Sequence, residues 1–397
     1  MVERTSSSLS FDLFDPTVQQ RPFEAYTGLR ARGAVHVIDP TASPLTFVVS
    51  QYEAARAVLR DPQTFSSRVL PAPVMLFLDP PDHDRIRRTI NRAFTPRSIA
   101  TLEPRIHEIA TALIEPYVAA GGGDFIEAVA GRLPVYVIGE MLGVPTEDWE
   151  QLREWSDATV QTLSAVLGDG DPAAGASALA LHTYLDDVAD RYRTEPNDSI
   201  AGRLVTFETD GEISRDELVG FLQLMFVAGH ETTTALLAHT IERCANDSAL
   251  LKTVGEDREL VGPLIEEMLR IYSSLQRVFR IATADTEIAG VDVPVGSTVV
   301  VLIGAANRDN RRFAAGDHID LDAADAAHLA FGQGIHHCLG APLARLEARV
   351  AINRILDAVR AVRLDQEHRI VRFAGGSTSE LLTTALWLVV DPSRGEA

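Results

Sequence analysis

From Phe331 to Gly340 the chain reads FGQGIHHCLG, and the segment that follows, APLARLEARVAINRIL, carries the apolar period of a helix. Glycines at 332, 334 and 340 allow tight backbone bends and close approach to a flat ligand. Cys338 stands just before the helix, where unpaired N–H groups and the positive end of the helix dipole favour an anion. Such a segment suits a thiolate better than a buried structural thiol.

The rest of the composition narrows the class. The chain has 397 residues, 46% of them hydrophobic and 23% charged, which is the balance of a globular protein with a sizeable core. No run of about eighteen apolar residues occurs and the opening MVERTSSSLS lacks the apolar stretch of a signal peptide, so a cytoplasmic protein is expected, with residues 1–10 flexible. The two cysteines, Cys244 and Cys338, are too few for a disulfide framework and too far apart for a CxxC metal site. A net charge of -20 argues against affinity for nucleic acid or an anionic membrane. The arginines are uneven, with Arg85, Arg87, Arg88, Arg92 and Arg97 crowded together.

Two β-rich runs, 35–39 and 46–50, flank a turn at Pro40–Pro44 and predict a hairpin. Helical periodicity then predicts helices over 52–60, 83–94, 97–119, 124–142, 147–165, 173–193, 214–245, 248–253, 258–273 and 341–361. Strands are expected near 279–290, 297–303, 369–374 and 383–390. The breaks at Gly121–Gly123, Gly168–Pro172 and Pro196–Asp198 read as loops within one domain spanning 1–397. The chain is thus mainly α with small β-sheets, without the strand–helix alternation of a doubly wound sheet.

The longest helix opens on a capping box, Ser214-x-x-Glu217, and at about 30 residues spans on the order of 45 Å. Its middle, AGHETTT (228–234), is small and polar where a core helix should be apolar. Ala228, Glu231 and Thr232 share one face, and a mid-helix threonine can divert a backbone hydrogen bond and open a groove. His230-Glu231 begins like the HExxH of zinc proteases, but Thr234 stands where the second histidine would be. Gly332-x-Gly334 begins like a dinucleotide loop, yet the third glycine is at 340 and no βαβ unit surrounds it.

The segment Phe331–Gly340 resembles the FGxGxHxCLG signature of the cytochrome P450 family, with Phe331, Gly332, Gly334, His336, Cys338, Leu339 and Gly340 in place. The resemblance extends over nearly the whole chain. Glu267-Met-Leu-Arg270 is similar to the family's ExxR, a structural ion pair. Ala228–Thr232 is similar to its AGx[D/E]T oxygen-activation motif, and Arg280 and the DPPDHDRIRR segment to its haem-contacting elements.

The resemblance implies the triangular-prism fold with a long central helix over haem b, ligated by Cys338. It assigns His83, Arg87, Arg280 and His336 to the haem propionates and gives Ala228, Phe331, Gly332 and Gly340 to the haem pocket. Glu231 and Thr232 are the implied catalytic pair, Glu231 relaying protons and Thr232 holding the oxygen species. Thiolate ligation favours O–O cleavage. The implied reaction inserts one atom of O2 into an apolar small molecule, of terpenoid, steroid, fatty acid or polyketide type.

Matching positions assign the substrate pocket to Phe77, Leu224, Val227, Ala228, Leu275, Val278 and Leu381, with 70–78 as a lid. Electrons are expected from a ferredoxin or flavodoxin-like donor and an NAD(P)H-dependent reductase, docking on Arg85, Arg88 and Arg92, and the protein itself is expected to be a monomer. The alternatives are a peroxide-driven haem-thiolate enzyme and a non-catalytic haem sensor or carrier. The chain also departs from the family: Asn310, Ala314 and Gly316 stand in a loop where prolines are frequent. His318 is at the place of an arginine that joins Glu267 and Arg270, which predicts a weaker cluster. Ser274 replaces a frequent proline.

Overall fold

The computed structural model describes residues 15–71, 74–165, 172–322, 327–373 and 380–393. The flexible start expected at 1–10, most of the loop at 168–172 and the middle of the lid lie outside them.

The long helix is Arg215–Asn246. Ser214 Oγ accepts from the Glu217 N–H and the Glu217 carboxylate accepts from the Ser214 N–H at 2.8 Å, the reciprocal cap that the sequence predicts. Leu218, Leu222, Phe226, Leu236 and Leu237 bury its two flanks in the main core, against helices Leu133–Leu142, Pro172–Thr194 and Ala341–Ala358.

A five-stranded sheet stands beside this bundle in the order Val35–Val37, Thr46–Val49, Thr298–Leu302, Arg277–Ala282, Phe65–Ser66. The first two strands form the predicted hairpin, with Val35 opposite Val49. Thr46–Val49 runs parallel to Thr298–Leu302, and the remaining pairs are antiparallel. Phe47, Val49, Val299 and Val301 on one face of this sheet share a second core with Tyr52, Ala55 and Leu59 from helix Tyr52–Arg60.

Several boundaries differ from the periodicity, each for a local reason. The helix expected over 97–119 is two, Pro96–Ala100 and Glu103–Ala119. Thr95 and Ser98 cap the first reciprocally, and Pro104, lacking an N–H, fits only the first turn of the second. The helix expected over 124–142 is instead a strand, Gly122–Asp124, a π-helical turn, Ile126–Ala130, and a helix from Leu133. Gly122 has φ +111°, and a Cβ there would lie 2.1 Å from the Leu388 carbonyl oxygen, so only glycine admits the paired strand Trp387–Pro392.

The helix expected over 341–361 stops at Ala358, and Val359–Leu364 pairs with Trp387–Pro392. The strand expected over 279–290 is Arg277–Ala282 followed by a small hairpin, Thr286–Ile288 with Val291–Val293. A further helix, Ile200–Thr209, is capped by Ser199 and gave no clear period in the sequence.

Glu267 and Arg270, both almost fully buried, form the expected ion pair through two bonds of 2.8 and 2.7 Å. Arg270 also donates to the carbonyls of Asn307, Gly316 and His318 at 3.1, 2.8 and 2.8 Å, so His318 contributes its backbone. The Phe313 ring lies between two guanidinium groups, 5.1 Å from that of Arg270 and 5.0 Å from that of Arg312. Among the described residues no helix is long and apolar enough to cross a membrane.

Candidate active site

Cys338 lies between a short 3-10 turn, Gly334–His336, and helix Ala341–Ala358. Its N–H donates to the Phe331 carbonyl at 2.8 Å, closing the loop. Gly332 and Gly334 have φ of +70° and +71°, and a Cβ on Gly334 would lie 2.6 Å from the Leu59 carbonyl oxygen. The Cys338 residue is exposed at its surface although protein crowds it. Burial pushes its thiol up, while the N–H groups of Gly340 and Ala341 and the cations Arg87 and Arg345 pull it down. Burial prevails, and the N–H groups and cations would act on the sulfur once it carries charge. Phe331 packs under the Arg345 guanidinium, 4.6 Å from ring centroid to Cζ, and Arg345 is fixed by Glu266 at 2.6 and 2.9 Å.

Four donors converge beside this loop. His83, on helix Asp82–Ala93, and His336 have ring centroids 4.4 Å apart, and the Nε2 of each is buried with no partner. Arg87, one turn after His83, donates to the His337 carbonyl at 2.8 Å. Arg280 is buried, and that burial pulls its guanidinium down to about 10. Burial first, then His83, Arg280 and Arg87, push the His336 imidazole down to about 3. Asp79 opposes them, but it already accepts from Ser66 Oγ at 2.6 Å and from the Ser67 N–H at 2.8 Å. Buried donors left unpaired are costly, and a ligand with two carboxylates would satisfy them. The residues therefore fit the propionate edge of a haem.

In the long helix, Ala228 is exposed and Thr232 half-buried, although the helix buries residues on either side of them. Thr232 Oγ1 donates to the Ala228 carbonyl at 2.8 Å, the back-bonding expected of a mid-helix threonine. Glu231 has one carboxylate oxygen buried without a partner; burial, then Glu380 and Asp157, push its carboxyl well above the usual range. The neighbours of this pair face away. Thr234 donates to the Ala130 carbonyl at 2.9 Å, and the His230 ring bonds the Gly131 carbonyl and lies 3.3 Å from Ser156 Oγ. These two side chains seal the end of the π turn, which accounts for two of the five polar residues in the run.

Of the expected pocket residues, Phe77, Leu224, Val227, Leu275 and Val278 are half-buried apolar side chains and Leu381 is buried. Val278 and Arg280 are two apart on one strand and so point to the same side of the sheet. A separate groove of about 530 Å³, lined by His239, Glu242, Tyr272 and His318, contains none of the residues expected in the site.

The family model described as Cytochrome P450 matches residues 181–370. Cytochrome P450 109 of Bacillus spizizenii is 38% identical over 347 residues, covering 84% of this chain and 84% of that relative. The chain belongs to the cytochrome P450 family. The Vitamin D(3) 25-hydroxylase of Pseudonocardia autotrophica is 36% identical, covering 92% and 94% of the two chains. Among solved structures, that of CYP109E1 from Bacillus megaterium in complex with testosterone aligns with a TM-score of 0.84 at 30% identity, covering 94% of this chain and 99% of that one. The fold is that of the cytochrome P450s, and the chain is an oxidoreductase of the monooxygenase class with a haem-thiolate cofactor.

Two contacts were not legible in the sequence: Arg345 braces Phe331, and Ser274, there only a departure from the family, donates to the Thr232 carbonyl at 2.7 Å. The expected arginine patch lies on the surface, and its members differ in what they touch. Arg85 is exposed and paired with Glu217, and Arg92 is exposed and paired with Glu212 beside the Phe207 ring. Arg88 is exposed and lies outside those pairs.

Proposed function

We propose that this chain, as a single haem-binding unit, hydroxylates an apolar polycyclic or macrocyclic small molecule of the steroid, terpenoid or polyketide kind, with electrons from a separate carrier protein. The observation that carries this reading is the group of four donors around His336, with one committed carboxylate among them, beside a loop that turns the N–H groups of Gly340 and Ala341 and the cations Arg87 and Arg345 toward the Cys338 sulfur. The relatives named for vitamin D3 hydroxylation and solved with testosterone point to polycyclic lipids first.

Cys338 would ligate the iron of haem b, and His83, Arg87, Arg280 and His336 would hold its propionates. When bound, haem supplies the oxygen chemistry, R–H + O2 + 2 e⁻ + 2 H⁺ giving R–OH + H2O. The protein's part is positioning and proton supply. Burial pushes the Glu231 carboxyl up and so favours a proton at its unpartnered oxygen, from which it would be passed inward. Thr232 offers lone pairs to that proton while its own hydroxyl leans on Ala228. Leu224, Val227, Leu275, Val278 and Leu381 would exclude water and set which carbon is presented. An acidic carrier would find Arg88 as the exposed cation on helix Asp82–Ala93 that lacks the pairings of Arg85 and Arg92.

The deciding experiment is the visible spectrum of the reduced protein under carbon monoxide, followed by titration of the ferric form with testosterone, vitamin D3, a macrolide and a fatty acid. A strongly red-shifted Soret band and a spin-state change with a polycyclic compound are expected. A histidine-type band, or a response only to the fatty acid, would overturn the ligation or the substrate class respectively. Strong turnover with hydrogen peroxide alone would favour a peroxide-driven enzyme.

A further inference from the structure

Ser274 follows helix Val261–Ile271 and is buried. Its hydroxyl donates to the Thr232 carbonyl at 2.7 Å, across 42 positions of sequence. Its own carbonyl accepts from the Leu381 N–H at 2.8 Å, and the next residue, Leu275, bridges to Glu380. Thr232 in turn donates to Ala228. A continuous set of hydrogen bonds therefore joins the two segments carrying Leu275 and Leu381, both assigned to the substrate pocket, to the helical turn that carries the acid–alcohol pair.

The carbonyl at stake is an unusual one to tether. Within a helix, the Thr232 carbonyl belongs to the bond from the N–H four residues on. The oxygen has a second lone pair, so the Ser274 hydroxyl bonds it alongside the helical N–H and pins the turn on which the Thr232 side chain is carried. A proline at 274 would stiffen the loop but would have no donor to reach across. The serine ties the loop to the helix where a proline could only shape the loop.

We propose that Ser274 is a positioning residue for oxygen activation: its hydroxyl holds the Thr232 turn in register with the pocket wall. The proposal rests on Thr232 being the oxygen-activation residue. A shift of the Leu275–Leu381 wall is then passed to Thr232 through one hydrogen bond, without movement of the whole helix.

The test compares wild type, Ser274→Ala, Ser274→Thr and Thr232→Ala as haem-loaded protein. Hydrogen exchange is measured over residues 228–240, together with the share of consumed oxygen released as peroxide in turnover driven by a surrogate ferredoxin and its reductase, with no added substrate. Ser274→Ala should speed exchange in this turn by about fivefold, the effect of losing one buried hydrogen bond of ordinary strength, and should raise the peroxide share. Ser274→Thr, which keeps the hydroxyl, should restore both. Unchanged exchange in Ser274→Ala, equal disturbance by Ala and Thr, or altered exchange with an unaltered peroxide share would each overturn the proposal. If Thr232→Ala also leaves the peroxide share unchanged, the role given to Thr232 fails and the proposal falls with it. A change in exchange at Ser274→Ala would then report a purely structural tie.

Discussion

The rings of His83 and His336 lie 4.4 Å apart, each with a buried Nε2 that no protein atom satisfies. Two imidazoles left open to the same space, with Arg280 close enough to depress one of them, form an anion trap built from a helix, a strand and the cysteine loop. Removing any of the three should loosen the cofactor. Charge-assisted hydrogen bonds are worth about 1.5–3 kcal/mol, so His83→Ala, His336→Ala and Arg280→Ala should each speed haem transfer to an acceptor globin by about 10- to 100-fold. Transfer rates unchanged in all three would remove these residues from the haem site.

Glu231 and Thr232 should separate chemically. Glu231→Gln keeps the shape but removes the proton, and product formation should fall on the order of 10²-fold with substrate affinity retained. Thr232→Ala should continue to consume oxygen while diverting most of it to peroxide. The check is product, peroxide and NAD(P)H measured in the same reaction; a Thr232→Ala enzyme that stays fully coupled would point instead to a carrier or sensor.

Charge reversal should sort the arginines of helix Asp82–Ala93. Arg88→Glu should slow reduction by an acidic ferredoxin, most at low salt, because an exposed cation acts mainly on association. Arg92→Glu faces Glu212 and loses its place over Phe207, so it should lower the thermal midpoint more than Arg88→Glu does. Stopped-flow reduction against ionic strength and a melting curve test both; equal melting points for the two variants would contradict the pairing.

Glu347, in helix Ala341–Ala358, is buried with one carboxylate oxygen unpartnered, and burial alone pushes its carboxyl well above the usual range. The folded state therefore binds this proton more tightly than the unfolded chain, whose glutamates titrate at about 4.3. Stability from this group is complete below that value and falls as pH rises toward the folded pKa. Glu347→Gln should raise the thermal midpoint at neutral pH and flatten its decline above pH 5. Parallel pH profiles for the two proteins would show that the carboxyl has a partner in solution.

The sequence carried the cysteine loop, the capped long helix, the ExxR pair and the hairpin because each depends on residues close together in the chain. Phe331 to Gly340 is one segment, and Ser214 with Glu217 is one turn. What it hid was settled at a distance. Helical periodicity over 124–142 could not register that Gly122 must admit the Leu388 carbonyl. The partners of Arg92 and Arg85 in the basic stripe were hidden because Glu212 and Glu217 lie 120 and 132 residues away. Ser274 was visible as a departure, but its target, a carbonyl of another helix, leaves no trace in composition. His230 and Thr234 looked like part of the reactive motif, yet they close a π turn on the far side of the helix.

Val278 and Arg280 share one side of a single strand. A lineage of this enzyme that drifts toward new substrates by enlarging or shrinking position 278 should disturb the backbone that carries Arg280, the proposed cofactor anchor, two residues on. Positions 224 and 227, on the long helix, have no such neighbour in the anion trap. Selection for altered specificity should therefore be tolerated more readily on the helical wall than on the strand, and libraries aimed at new substrates should diversify 224 and 227 before 278.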